Sequence, residues 1–224
     1  MSRERWMALL FAAGSLCFLI APFPGYVELV GPGADAATFF AGSLLFTAGG
    51  AMQAWLSFPE RRSSGAGRAA WWSAAVQFAG TLFFNATTFR ALHTQVSDPA
   101  YDQLVWRPDA LGSICFLVSG AIAYRASARH GWLPARGAPG WWEPALNLLG
   151  CVLFGVAAVA SHVVPTTGSV LDLAAVNWAT GAGAACFAVN ALATLRTGRT
   201  TKSPRLRRIR ALERGLVREV ERLG

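Results

Sequence analysis

Charged residues are scarce in this chain. Asp, Glu, Lys and Arg make up 14% of its 224 residues, whereas hydrophobic residues make up 54%. A soluble domain carries about 25% charged residues, which cover its water-facing surface. The apolar residues here are gathered into long blocks, and blocks of this length favour a membrane protein over a soluble protein with a very large core.

The sequence also lacks motifs that indicate catalysis or metal binding. It contains no H-E-x-x-H, no G-x-S-x-G and no phosphate-binding glycine loop with a lysine, so we predict that it is not an enzyme. Its cysteines lie in apolar blocks without C-x-x-C spacing, at positions Cys17, Cys115, Cys151 and Cys186. We therefore expect no disulfide framework, no zinc site and no cofactor, and we interpret the cysteines as packing residues. Haem ligation by His93 and His162, at outer span ends, is the alternative to two isolated interface histidines.

Six apolar segments reach, or nearly reach, the roughly 20 helical residues that a bilayer core requires. They comprise residues 6–22, 38–58, 69–92, 110–126, 142–163 and 171–195. The first segment has the length of a signal peptide, but no small-x-small cleavage site follows it, so we count it as a span. We predict an all-α fold, a six-helix polytopic membrane domain over residues 1–196 followed by a basic cytoplasmic tail over residues 197–224.

Basic residues predict the orientation of these spans. Lys and Arg accumulate in cytoplasmic loops, and with the N-terminus inside, only Arg90 and Arg107 of the 20 basic residues fall on the outer side. We therefore predict a multi-pass protein of the cell membrane with both termini in the cytoplasm. The near absence of lysine is typical of a GC-rich bacterial genome, and hence of a bacterial inner membrane. The net charge of +8 follows from this topology, so we expect lipid as the partner and no nucleic acid.

A Gly-small-x-x-Phe motif occurs once in every predicted span. Its glycines are Gly14, Gly42, Gly80, Gly112, Gly150 and Gly183, and its phenylalanines are Phe18, Phe46, Phe84, Phe116, Phe154 and Phe187. Residues four apart share a helix face, and a Gly with a small neighbour lets membrane helices approach closely. We predict that these residues pack the helices into three tandem hairpins, related by an axis along the membrane normal. Chance recurrence of two residues common in membrane helices is the alternative.

The first two predicted hairpins resemble a known membrane domain. Residues 14–18 and 42–46 are similar to the paired Gly-Ser-x-x-Phe helices of the YrhK-like membrane domain, and so are residues 80–84 and 112–116. The third hairpin departs from this pattern, with Cys151 and Ala184 after its glycines. The resemblance implies a membrane location, but neither an activity nor a functional residue.

The third predicted span carries a polar stripe. Its residues are Gln77, Thr81, Asn85 and Thr88, with Arg90 near the outer end. Polar side chains are costly in a bilayer and face other helices or water. The stripe therefore predicts interhelical hydrogen bonds or, as the alternative, the lining of a solute pathway. For Arg90, a snorkelling arginine is favoured over an anion site, and an ion pair with Asp109 or Asp98 is the hypothesis to be tested.

The predicted tail is basic and amphipathic. Ser203-Pro204 is typical of a helix start, and apolar residues then recur among arginines as far as Leu223. We predict that this helix lies on anionic lipids of the inner leaflet, with a coiled coil or a partner-binding helix as the alternative.

Taken together, these features favour a non-catalytic scaffold or accessory membrane protein, although the sequence identifies no protein partner. A small-solute or ion transporter or channel is the alternative, because of the parallel repeats and the polar stripe. Coupled transporters commonly carry buried Asp, Glu or His within their spans. Only Arg90 and Glu143 approach that description here.

Overall fold

The computed structural model describes residues 1–128, 131–134 and 140–197. Its α-helices are α1 (Arg3–Ile20), α2 (Pro24–Val30), α3 (Pro32–Ser57), α4 (Ala66–Ala91), α5 (Arg107–Ser127), α6 (Trp142–Ala160) and α7 (Leu173–Thr197). A 3₁₀ turn (Phe58–Arg62) follows α3, and a π-helical turn (Asp102–Trp106) leads into α5. The short strands β1 (Val163–Val164) and β2 (Ser169–Val170) form an antiparallel hairpin before α7. The predicted helical class is confirmed. The predicted tail helix lies outside the described residues.

Prolines explain where the helices depart from the predicted spans. Two Pro- and Gly-rich stretches between the first two spans suggested turns, yet α2 begins at Pro24 and α3 at Pro32. Proline is favoured in the first turn of a helix because its missing N–H would have no partner there. Gly31 joins the two helices with φ 82°, a conformation that glycine adopts without steric cost.

The six long helices pack in chain order, and the last contacts the first. α3 lies between α1 and α4, α5 lies between α4 and α6, and α7 contacts both α6 and α1. A cluster of buried residues draws one phenylalanine from each long helix, and we call these six residues the phenylalanine core: Phe18, Phe46, Phe84, Phe116, Phe154 and Phe187. Rings from helices that are not neighbours in this order, such as Phe18 of α1 and Phe154 of α6, contact each other. The phenylalanine core therefore fills the centre of the bundle.

Apolar side chains also cover the outside of the bundle. Each long helix exposes at least one large apolar residue near its middle, and these include Leu16, Leu44, Leu82, Ile114, Val152 and Val189. Extensive exposed apolar surface on a folded chain marks contact with a membrane or with another protein. The apolar outward faces are compatible with a membrane protein.

In the described part of the chain, four helical segments are long and apolar enough to cross a membrane. They are Pro32–Arg62, Asp102–Ser127, Trp142–Ala160 and Leu173–Arg196, and the bent pair of α1 and α2 makes a fifth if it is counted as one span. α4, which contains the third predicted span, does not reach the same apolarity. Its buried face carries Ser73, Gln77 and Thr81, and these polar side chains lower its mean hydropathy.

Candidate functional site

The motif glycines meet in pairs across neighbouring helices. Gly14 of α1 lies against Gly42 of α3, Gly80 of α4 against Gly112 of α5, and Gly150 of α6 against Gly183 of α7. A Cβ added to Gly80 would lie 3.1 Å from the carbonyl oxygen of Gly112, and one added to Gly183 would lie 3.2 Å from that of Gly150. The backbones therefore approach as closely as glycine allows.

Each motif glycine also makes room for side chains of the facing helix. A Cβ on Gly80 would lie 2.8 Å from Phe116 Cδ1, and a Cβ on Gly42 would lie 3.2 Å from Phe18 Cδ2. Three of the four cysteines, Cys17, Cys115 and Cys186, press their Cβ atoms against motif glycines in the same way. All four cysteines are free thiols. The glycines thus allow the phenylalanines to reach the centre.

The phenylalanine core is closely packed. The ring centroids of Phe84 and Phe116 are 4.9 Å apart with nearly perpendicular planes, and those of Phe46 and Phe187 are 5.6 Å apart. Both distances fall in the range of about 4.5–7 Å that favourable aromatic pairs adopt. A cavity of about 10 Å³ lies among the rings, beside Ser43 and Thr81. This volume is at the lower limit of about 10–15 Å³ for one water molecule.

The polar stripe of α4 forms hydrogen bonds to both neighbouring helices. The Oγ1 of Thr88 donates to the carbonyl of Phe84 and lies 2.8 Å from the Oγ of Ser43 on α3. Thr47 of α3 donates to the carbonyl of Thr81, while the Oε1 atom of Gln77 lies 3.4 Å from the Oγ of Ser119 on α5. Three stripe residues, Gln77, Thr81 and Thr88, are buried, and their role is interhelical contact.

The other two stripe residues lie differently. Asn85 is partly buried, and its Oδ1 atom has no hydrogen-bond partner within the described residues. Arg90 is exposed. It forms no ion pair within 4 Å in the described ranges, so the hypothesis of an ion pair with Asp98 or Asp109 is wrong. The stripe is therefore a buried contact surface at Gln77, Thr81 and Thr88, partly buried at Asn85 and exposed at Arg90.

Ser73 and Ser119 form a contact that the sequence analysis missed. Ser73 Oγ donates to the Ser119 carbonyl over 3.0 Å, and Ser119 Oγ donates to the Ser73 carbonyl over 2.8 Å. Their spacing could have revealed them. In antiparallel helices that meet at Gly80 and Gly112, the residue seven before the first glycine faces the residue seven after the second.

The same rule applies to α6 and α7. Glu143 lies seven residues before Gly150, and Asn190 lies seven residues after Gly183. Asn190 Nδ2 donates to the Glu143 carbonyl over 3.2 Å. The polar pair in α6 and α7 therefore occupies the position of the serine pair in α4 and α5.

A second glycine position was also missed. Gly50 and Gly120 lie eight residues after the motif glycines of α3 and α5. A Cβ on Gly50 would lie 3.6 Å from Thr81 Cγ2 of α4, and one on Gly120 would lie 3.0 Å from Cys151 Sγ of α6. A Cβ at Gly50 would make ordinary van der Waals contacts, so only Gly120 is needed for the close approach between successive helix pairs, whereas the motif glycines shape the contacts within each pair.

The two histidines considered as haem ligands have different surroundings. His93 is exposed and packs edge-on against Phe89. His162 lies on the Trp106 ring, and its Nδ1 is 3.9 Å from Asp102 Oδ1. Asp102 also pairs with Arg107, over 3.2 Å. Within the described residues, no group of three or more His, Cys, Asp or Glu side chains could hold a metal ion.

Tyr101 lies beside this outer group of charges. Burial raises the pKa of its phenol, and the negative charge of Asp109 raises that pKa further. The phenol therefore stays protonated and neutral at physiological pH.

Comparison with known proteins assigns no family to this geometry. The resemblance of the Gly-Ser-x-x-Phe helices to the YrhK-like membrane domain stays a prediction. No protein-family model matches the sequence, and neither a curated protein nor a solved structure matches the chain.

Proposed function

We propose that this chain is a six-span membrane protein made of three helical hairpins, which acts as a non-catalytic scaffold or accessory protein. The observation that carries this proposal is the phenylalanine core, because it closes the bundle axis with side chains from every long helix. A conduit along that axis would require several of these rings to move together.

Six spans require that α4 crosses the membrane. This helix has 26 residues and is about 39 Å long, enough for a hydrocarbon core about 30 Å thick. It packs between α3 and α5, two helices that are apolar enough to be spans. Its polar residues are buried against those neighbours, whereas Leu82, Phe83 and Phe89 are exposed. α4 thus presents an apolar face outwards despite its low mean hydropathy.

The glycine contacts support an internal repeat. The pairs α1–α3, α4–α5 and α6–α7 each join through a motif glycine on both helices, with a phenylalanine packed against the facing glycine. Three copies of one contact are expected from three copies of one hairpin. Chance recurrence of Gly and Phe does not predict that every motif glycine faces another.

Hydrogen bonding favours a scaffold over a solute pathway. The hydroxyl groups of Ser73, Ser119 and Thr88 donate to backbone carbonyls, so they have no second proton to offer a passing solute. The adjoining cavity has room for about one water molecule. Such a bundle is suited to holding a fixed shape in the bilayer.

Reporter fusions test the six-span arrangement. Fusions at residues 64 and 133 should report the cytoplasm, and fusions at residues 98 and 167 should report the opposite side. The pair 64 and 98 is decisive because only α4 lies between these residues. If both report the same side, α4 does not cross and the six-span arrangement is wrong.

Flux measurements test the scaffold against the transporter or channel. The purified protein in proteoliposomes should pass potassium, chloride and protons no faster than empty liposomes do, with valinomycin as the positive control. Flux above that background, lost in the Asn85→Leu variant, would establish the alternative and refute the scaffold.

A further inference from the structure

The short helix α2 presents apolar residues for which the protein provides no cover. Leu29 is 82% exposed, the highest value for any large apolar side chain in the described part of the chain. Phe23, at the start of α2, is also exposed. Its ring contacts that of Trp178 on α7, which is 71% exposed. The apolar surface of α2 is thus continuous with the outward face of α7.

α2 is held in place by contacts of Tyr26 and Val27, two residues of the same short helix. Tyr26 and Val27 are partly buried, and the hydroxyl of Tyr26 lies 2.8 Å from the Oγ1 of Thr38 on α3. Leu29 lies one turn after Tyr26 and stays exposed beside this contact.

The bend before α2 sets its direction and depth. α1 has 18 residues and is about 27 Å long, close to the thickness of a bilayer core of about 30 Å. α2 follows at an angle of 90° to α1. If α1 crosses the bilayer, α2 begins near its outer boundary and runs parallel to the membrane surface.

We infer that α2 is an interfacial helix that inserts Leu29 and Phe23 among the lipids of the outer leaflet, an inference that depends on the proposed membrane topology. The expected lipid headgroup is zwitterionic. Glu28 is the only charged residue of α2, so the helix offers no positive charge to an anionic lipid. Insertion is driven by apolar burial, as for other amphipathic helices at a membrane surface.

Nitroxide spin labels can measure the environment of Leu29. The full-length protein, with its four cysteines changed to alanine to keep every Cβ contact, would carry the label through Leu29→Cys. Leu44→Cys, on the exposed middle of α3, is the lipid control, and Thr167→Cys, in the exposed turn between β1 and β2, is the water control. In phosphatidylcholine bilayers, the label at residue 29 should be more accessible to oxygen than to nickel-EDDA, as at residue 44. Adding phosphatidylglycerol should not raise this ratio, because α2 carries no positive charge that would attract an anionic headgroup.

Each other outcome has a separate meaning. Residue 29 in water with residue 44 in lipid refutes the interfacial helix and leaves the membrane topology intact. Low accessibility of residue 29 to both reagents indicates a protein contact, a second copy or another chain, and also refutes the inference. If residue 44 is itself in water, the proposed membrane function fails as well. A ratio that rises with phosphatidylglycerol would refute the zwitterionic preference.

Discussion

Replacing Gly80 by alanine tests whether glycine contacts determine the packing. The new Cβ would lie 2.8 Å from Phe116 Cδ1, 2.9 Å from Cys115 Cβ and 3.1 Å from the Gly112 carbonyl oxygen. Carbon atoms prefer separations of about 3.5–4.0 Å. The Phe116 ring can rotate away, but the backbone oxygen of Gly112 cannot, so the two helices must separate. Overpacking of this kind costs about 1–3 kcal/mol.

Gly181→Ala is the matched control. Gly181 lies within α7, and a Cβ added there would meet nothing within 4 Å. Both variants gain the same helix propensity, about 1 kcal/mol for Ala over Gly. That gain cancels in the comparison. The difference in stability between the two variants therefore isolates the steric cost, and we expect Gly80→Ala to be less stable by about 1–3 kcal/mol.

Reversible unfolding in mixed micelles of dodecyl maltoside and sodium dodecyl sulfate, followed by circular dichroism, measures this difference. Gly80→Ala should unfold at a lower fraction of sodium dodecyl sulfate than Gly181→Ala. Coincident unfolding curves would refute the inference that the α4–α5 contact depends on glycine.

Further predictions concern hydrogen bonds and use the same assay. Ser73→Ala and Ser119→Ala should each lower the free energy of unfolding by about 0.6 kcal/mol. The two losses should add, because each hydroxyl donates to a backbone carbonyl that alanine retains. A large coupling energy between the two substitutions would contradict this. Ser43→Ala should cost a similar amount, whereas Ser15→Ala should cost nothing or stabilise, because the Oγ of Ser15 is buried and has no partner in the part of the chain that the structure describes; the reverse order would be contrary evidence. Trp106→Phe should cost about 1 kcal/mol, since the indole N–H donates to an α6 carbonyl, and an unchanged midpoint would show that this bond contributes nothing.

The sequence predicted the helices well because their signals are strong. Long apolar blocks ended by Pro and Gly predicted six helices. Most of the helix ends lie within a few residues of the predicted ones. The exception is the start of α3, at Pro32, six residues before the predicted span. The missed α2 shows the limit of this approach. Its residues 24–30 begin with Pro-Gly, a pair typical of turns, and the helix is too short to show a period.

Side-chain direction was harder to predict than helix position. Gln77 and Thr88 were placed on one face by spacing alone, and that face is the buried one. Arg90 could not be assigned a partner in this way, because its depth in the membrane says nothing about which neighbour it faces. The ion pair that the structure does contain joins Asp102 to Arg107, five residues later, because the π-helical turn brings these two side chains together. Such local geometry has no sequence pattern comparable to a helical repeat.

The contact between α7 and α1 indicates which force closes the bundle. At the other two contacts between successive helix pairs, the residue after the motif glycine is a serine that bonds the next helix. Ser43 bonds Thr88, and Ser113 donates to the Phe154 carbonyl. α7 has Ala184 at that position, fully buried, and the facing helix α1 carries the hydroxyl of Ser15, which has no hydrogen-bond partner among the described residues.

The ring of helices nevertheless closes there. An interhelical hydrogen bond in a membrane contributes only about 0.6 kcal/mol, so the loss of the serine bond is small beside the packing of a fully buried surface. Close packing between small residues and phenylalanine rings therefore contributes most of the stability of the bundle. The hydrogen bonds of the hydroxyl groups contribute a smaller part. The contacts of Gln77, Thr81 and Thr88 account for the buried part of the polar stripe of α4.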